Sequence, residues 1–224
     1  MADNYLGRKM EEYFARQSGG ATPHKPGATL GRLLLKNRSH RGYDSSFTVR
    51  EDQLRRIIAV NTRIPSARNQ QVLRFRPVLS DEAPRVLPHI RLGGALPELH
   101  LPLPGTEPNA FIIVCSTVEE NPYVDIDLGI SAQSMLLQAA EIGLNGICIG
   151  AFDRAAIRRE FALEWEPLLI LAIGRGIEHI ELVDIEADGD RRYYRRDGVH
   201  YVPKLTLEAL LIAPHRETEP TAER

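Results

Sequence analysis

The chain has 224 residues, 43% of them hydrophobic and 26% charged, which suits a globular domain with one sizeable core. A formal net charge of -2 and a pI near 6.4 argue against nucleic acid or an anionic membrane as the main partner. No apolar run approaches the roughly 20 residues that span a bilayer.

The opening stretch MADNYLGRKMEEYFARQ carries charges where a secretory signal is apolar, so a cytoplasmic protein is expected. Residues 3–16 suit a short surface helix, and Ser18 to Gly27 a loop rich in Gly and Pro. A domain is expected over 28–213, preceded by the helix and loop of 1–27 and followed by a charged, disordered tail at 214–224. A helical run from Leu30 to Leu35 leads into Lys36-Asn37-Arg38-Ser39-His40-Arg41-Gly42-Tyr43. Thr48 reads as an N-cap with Glu51 completing a capping box, for a helix presenting Leu54, Ile57, Ile58 and Val60 to a core. Ile64 to Gln71 is a polar loop. Val72 to Leu79 alternates as a strand with one wet face or an exposed edge. The Pro-, Leu- and Gly-rich stretch from 80 to 108 is long enough to read as a functional cover. Asn109 to Ser116 is continuously apolar and predicts a buried strand.

The centre of the chain is Asp125 to Asp153. Asp125 and Asp127 sit where a helix N-terminus favours negative charge, and about four apolar turns follow. Gly143 suits the C-terminal cap, Ile147 to Ile149 a short buried strand, and Asp153 the N-cap of a helix over Arg154 to Phe161. Gly150 and Ala151 leave backbone N–H groups unobstructed, so the strand end at 148–151 suits a flat ligand, with a plain core helix and strand as the alternative. Pro167 to Gly174 predicts another buried strand, and Ile180 to Ile185 a weaker one. Asp188-Gly189-Asp190 marks a turn, Arg191 to Arg196 a solvated hairpin tip, and Leu205 to Ile212 a final helix or extended arm. Irregularly interleaved helices and strands predict an α+β fold with a mixed sheet. The absence of G-x-G-x-x-G after a strand disfavours a Rossmann domain.

Cys115 and Cys148 lie in apolar runs and are expected to be buried free thiols. The seven histidines show no metal-ligand spacing, so no metal is expected. His40 reads as a surface residue, and His89, His100 and His200 have no inferable partner. Taken singly, Arg38 and Arg41 suit solvated helix-end charges, and Ser66 and Asn69 turn and cap residues.

Taken together, separated segments resemble the nitroreductase family of flavoproteins. Asn37-Arg38-Ser39-His40-Arg41-Gly42-Tyr43 resembles its R-R-S-x-R-x-F segment, and Pro65-Ser66-Ala67-Arg68-Asn69-Gln70-Gln71 its P-S-x-x-N-x-Q loop. Gly129, Gln133, Leu137, Ala139 and Gly143-Leu144-Asn145 follow its G-x-x-x-Q-x-x-x-L-x-A-x-x-x-G-L-G unit. The order and spacing agree over roughly residues 28–175. The resemblance implies an intertwined homodimer with FMN at the subunit interface and terminal segments wrapping the partner. It implies that Arg38, Ser39 and Arg41 hold the phosphate, ribityl and pyrimidine parts of FMN. Pro65, Ser66, Ala67 and Asn69 would reach the flavin of the other subunit, and Cys148, Ile149, Gly150 and Ala151 would line the isoalloxazine. Lys204, with Arg175 behind it, is the expected C-terminal phosphate cation. NADH or NADPH would deliver hydride to flavin N5, and a small-molecule acceptor (nitroaromatic, quinone, flavin or enone) would take it in ping-pong fashion, with no side chain required as acid or base. The alternatives are a flavin-binding protein without turnover and an interaction domain whose motif matches are accidental. The chain departs from its relatives at Asn37, where many carry Arg, and at Asn145 and Ala151, where many carry Gly.

Overall fold

The computed structural model describes residues 30–92 and 101–212. The helix expected at 3–16, the loop expected over Ser18 to Gly27, His100 and the tail from 214 lie outside them. In chain order the elements are α1 (Leu30–Lys36), α2 (Glu51–Ile58), β1 (Leu73–Val78), β2 (Ala110–Ser116), α3 (Pro122–Glu141) and β3 (Asn145–Ile149). Then come α4 (Arg154–Glu160), β4 (Glu166–Gly174), β5 (His179–Ile185), β6 (Tyr194–Arg196), β7 (Val199–Leu205) and α5 (Leu207–Leu210). Among the described residues no helix is long and apolar enough to cross a membrane.

The main sheet runs β1-β2-β4-β3, with every neighbouring pair antiparallel. β2 is buried at every position because both faces of the sheet are covered. Successive side chains divide between two clusters: Phe111, Ile113 and Cys115 on one face, Ala110, Ile112 and Val114 on the other. Helices α2 and α3 close the second face through Leu54, Ile57, Met135, Leu136 and Ala139. The first face is closed by Tyr43, Ile157, Phe161 and the start of the long connection, through Ala83 and Val86. That connection is also laced to the turn after β3: Arg91 N–H donates to the Ala151 carbonyl at 2.8 Å, and Asp153 N–H to the His89 carbonyl at 2.9 Å. Its described part is thus a cover over the core. Among the described residues β1 pairs only with β2, and an edge position tolerates Pro77.

Two helix starts differ from expectation. The cap of α2 is Arg50, whose N–H donates to Gln53 Oε1 at 3.0 Å, so the capping bond lies two residues beyond the Thr48–Glu51 pair. Val49, just before the cap, and Leu54, in the first turns, are buried in one cluster, and this apolar staple sets where the helix begins. α3 begins at Pro122 with Asn121 as cap, its Oδ1 accepting from the N–H groups of Tyr123 and Val124 at 3.0 and 3.3 Å. Asp125 keeps its place in the first turn, whereas Asp127 falls deeper in the helix and is buried. Gly143 follows the helix with φ of 80°, and Asp153 caps α4 by accepting from Ala156 N–H at 2.9 Å, both as the residue types predict.

The C-terminal segment forms a second sheet, β5-β7-β6, with β5 and β7 parallel and β6 and β7 antiparallel. Asp197 and Gly198, with φ of 50° and 78°, make the hairpin turn. The tip expected over Arg191 to Arg196 therefore moves along the chain, because Tyr194–Arg196 pairs as a strand and the turn falls just after it. The fold is α+β, as expected, with a wholly antiparallel sheet and a small mixed one.

Candidate functional site

The segment 37–43 lies against the outer edge of β3. Ser39 bridges Gly146 in parallel, and His40 N–H donates to the Gly146 carbonyl at 3.3 Å. Gly146 itself is pressed against β4 and α3: a methyl there would stand 2.6 Å from both the Ala172 carbonyl and Leu136 Cδ2. The Tyr43 hydroxyl donates to the His40 carbonyl at 2.8 Å. His40 is buried, contrary to its expected surface place, because its ring packs against the bare backbone of Gly176. The Glu178 carboxylate accepts from the N–H groups of Arg41 and Gly42 and pairs with Arg195 of β6.

Arg41 is 9% exposed. Its Nη1 donates to the Ser39 carbonyl at 3.2 Å, and its guanidinium carbon sits 5.3 Å from the Tyr193 ring centre. Arg38 Nη2 donates to the Leu34 carbonyl at 2.6 Å, and partial burial lowers the pKa of its guanidinium. These residues open onto a cleft of about 390 Å³ whose lining, among the described residues, includes Arg38, Ser39, Arg41, Cys148, His200 and Lys204 and no carboxylate. Of the residues expected to hold a cofactor, the structure therefore gathers Arg38, Ser39, Arg41, Cys148 and Lys204 around one space. Arg38 Nε, Arg41 Nε and His200 Nδ1 are buried there without a hydrogen-bond partner. Unpaired buried donors are costly, and cations without carboxylates attract negative charge. An anionic, acceptor-rich ligand such as FMN fits that donor set. Asn37 lines the same cleft and donates from Nδ2 to Gln133 Oε1 of α3 at 3.4 Å.

The other expected residues are placed differently. The Ile149 side chain is buried in the core, while Gly150 and Ala151 are exposed just beyond β3. A Cβ on Gly150 would meet nothing within 4 Å. Arg175 is not part of the cleft lining; it stacks on Phe47 at 4.1 Å and lies 3.6 Å from Asp44 Oδ2. Cys115 is buried as expected, but Cys148 is exposed: strand alternation sends Ile147 and Ile149 into the core and turns Cys148 to the cleft. The protein around it still pushes its thiol pKa up by desolvation. Asn145 accepts from Gly176 N–H through Oδ1 at 3.0 Å.

Pro65 and Ser66 line a separate cavity of about 550 Å³, together with Asn61, Phe75, Asp127 and Ser131, and no residue lines both spaces. Ala67 and Asn69 follow in the adjoining turn. Arg68, Asn69 and Gln71 have φ of 52°, 54° and 47°, left-handed conformations that cost about 1–2 kcal/mol per residue. Asp127 holds the segment in place, accepting from Ala67 N–H at 2.7 Å and Gln70 Nε2 at 2.9 Å. Sequence reasoning took Asp127 only as a charge suited to a helix start; the clue was a carboxylate spaced among apolar residues. Glu178, Tyr193 and His200 were missed as site residues, and no local signal marks them.

Comparison with known proteins shows what the chain is similar to. Residues 100–175 match the model of the nitroreductase family. A curated protein of Methanocaldococcus jannaschii with the provisional name nitroreductase is 38% identical over 56 residues, 25% of this chain and 28% of its own length. The match thus spans little more than a quarter of that relative. A solved nitroreductase family protein from Streptococcus pneumoniae gives a TM-score of 0.58 at 15% identity, covering 68% of this chain and 93% of its own. A protein of Exiguobacterium sibiricum, provisionally a nitroreductase and solved in complex with FMN, gives 0.55 at 18% identity, covering 69% and 92%. These structural likenesses are likenesses of fold. With the matched central residues, they bear out the resemblance to the nitroreductase family read from the three motifs.

Proposed function

We propose that the protein is an FMN-dependent oxidoreductase drawing on NADH or NADPH and reducing a small organic acceptor. The observation that carries this is the cleft itself: Arg38, Arg41 and Lys204 meet beside β3 with buried polar atoms left unpaired and no carboxylate in the lining. When bound, FMN would supply the redox chemistry, a hydride acceptor and donor between nicotinamide and the organic acceptor. The chain supplies position and charge. Arg38 and Lys204 would hold the phosphate, and Ser39 the ribityl chain. Arg41, pinned by Tyr193 and by Glu178 at its backbone, would set a fixed cation beside the negative charge of reduced flavin. Gly150 and Ala151 leave the backbone open beside the ring.

The working unit is a homodimer in which Pro65, Ser66, Ala67 and Asn69 face the partner's flavin. Support comes from the separation of the two cavities and from the strained segment that Asp127 holds. Nitroaromatics, quinones, free flavin and enones are the acceptor classes suited to a planar, interfacial pocket.

Titration of the apoprotein with FMN, followed by flavin fluorescence, tests the proposal. Arg41→Ala is expected to weaken binding about tenfold or more, because it removes a charged donor from a desolvated site. Anaerobic NADH or NADPH is then expected to bleach the bound flavin. Wild-type protein that takes up no FMN in excess overturns the proposal, and bound flavin that neither nucleotide bleaches leaves a flavin-binding protein without turnover.

A further inference from the structure

Around the cleft, His200 of β7 is a buried polar side chain to which neither the motifs nor the proposed FMN contacts give a role. We propose that His200 is a cofactor-contacting residue, its imidazole hydrogen-bonded to the pyrimidine end of FMN beside Arg41; this rests on the flavin function proposed above. His200 is 3% exposed, lines the cleft, and leaves Nδ1 without a partner. A core histidine normally satisfies its ring nitrogens, and a ring kept only for packing needs no nitrogen at all. Its backbone is held from both sides, opposite Ile180 of β5 and Arg195 of β6, so the side chain starts from a rigid base. Tyr193 packs edge-on against the imidazole at 5.3 Å and carries the Arg41 guanidinium at 5.3 Å, so both polar groups flank one aromatic ring. Nδ1 has no partner of its own to give up, so a hydrogen bond to a ligand costs no existing bond.

The choice of histidine follows from the charges nearby. Burial first, then the cations of Arg41 and Arg195, keep the ring neutral, against the opposing pull of Glu178. A neutral ring adds a hydrogen bond without a third positive charge. His40 provides an internal contrast: its Nδ1 is also unpaired, but it is packed against Gly176 and does not line the cleft.

The test compares wild-type protein, His200→Asn and His200→Phe. Asn keeps an amide near the position of Nδ1, whereas Phe keeps a ring and no polar atom. FMN affinity is expected to fall about tenfold in His200→Phe and to stay within about threefold of wild type in His200→Asn. The midpoint potential of the bound flavin is expected to fall in the Phe variant alone. In wild-type protein carrying nitrogen-15 histidine, FMN is expected to shift the His200 ring nitrogens, identified by their loss in His200→Asn, and to leave His40 in place. This last measurement stands even where His200→Phe does not fold. Bound FMN with no shift at His200, or with unchanged affinity and potential in His200→Phe, overturns the role of His200 and leaves the flavin proposal intact. Wild-type protein that binds no FMN overturns both.

Discussion

The two sheets stand on different physical ground. In the main sheet, β2 is buried along its whole length, and apolar side chains from helices and loops close both faces. In the C-terminal sheet, β6 is exposed throughout and β7 buries only His200. The first is held by hydrophobic burial, which needs no ligand. The second is held by ladder bonds, the Asp197–Gly198 turn and the Glu178–Arg195 pair, yet it brings His200 and Lys204 to the cleft. A rigid scaffold thus carries a thinly supported cover, and a ligand in the cleft adds stability chiefly to the cover.

The sharpest way to break this contrast is to cut a side chain in each sheet. Phe111→Ala removes a fully buried ring from β2 and is expected to cost about 3–5 kcal/mol in urea unfolding. Val202→Ala on half-buried β7 is expected to cost about 1 kcal/mol or less. Equal losses would mean that the second sheet is as much core as the first.

A smaller effect is expected where the sheets meet. Glu178→Ala removes the acceptor of Arg41 and Gly42 N–H and the partner of Arg195. The expected cost is about 1–3 kcal/mol. It should appear in hydrogen exchange as faster amides in 194–205 and 41–43, with those of β2 unchanged. Acceleration spread evenly over β2 and β7 would show one cooperative unit and remove the distinction.

The same contrast explains what the sequence disclosed. β2 and β4 were legible because a strand covered on both faces must be apolar at every position, and the cap of α4 because Asp153 acts within three residues. The cap of α2 was misplaced because two local signals competed, and the Val49–Leu54 staple outweighed Thr48 and Glu51. The motif around Arg38, Ser39 and Arg41 was visible from resemblance, but its fastening was not. Arg41 and Glu178 are 137 residues apart, and Ala67 and Asp127 are 60 apart, so neither bond leaves a trace in a local pattern. His200 is the limiting case. On an exposed hairpin it looks like any surface histidine, and its burial depends on neighbours brought from other strands, Ile180 of β5 on one side and Arg195 of β6 on the other.

The smallest expected effect is a pH dependence that begins at the seam between the sheets. His40 and His200 both have pKa values lowered chiefly by burial, with Arg41 adding to the shift at each. In the unfolded chain these rings titrate near the ordinary histidine value, about 6.5. Above that value both states are neutral and the full stability is present. As pH falls below it, the unfolded chain gains protons that the folded chain refuses, so stability declines until the lowered folded values are reached. The slope is at most about two protons, one for each ring. The carboxylates held down by hydrogen bonds at Asp44, Glu160 and Asp190 act at lower pH, so the two windows are separable. The urea midpoint of the apoprotein is expected to drop between about pH 7.5 and about pH 5.5, and His200→Asn to flatten that drop by up to about one proton. Since His200 belongs to the cover, its share should also appear as faster exchange in β7 before β2 responds. An identical pH slope in wild type and His200→Asn would place the acid-sensitive group elsewhere and leave His40, on the scaffold side of the seam, as its source.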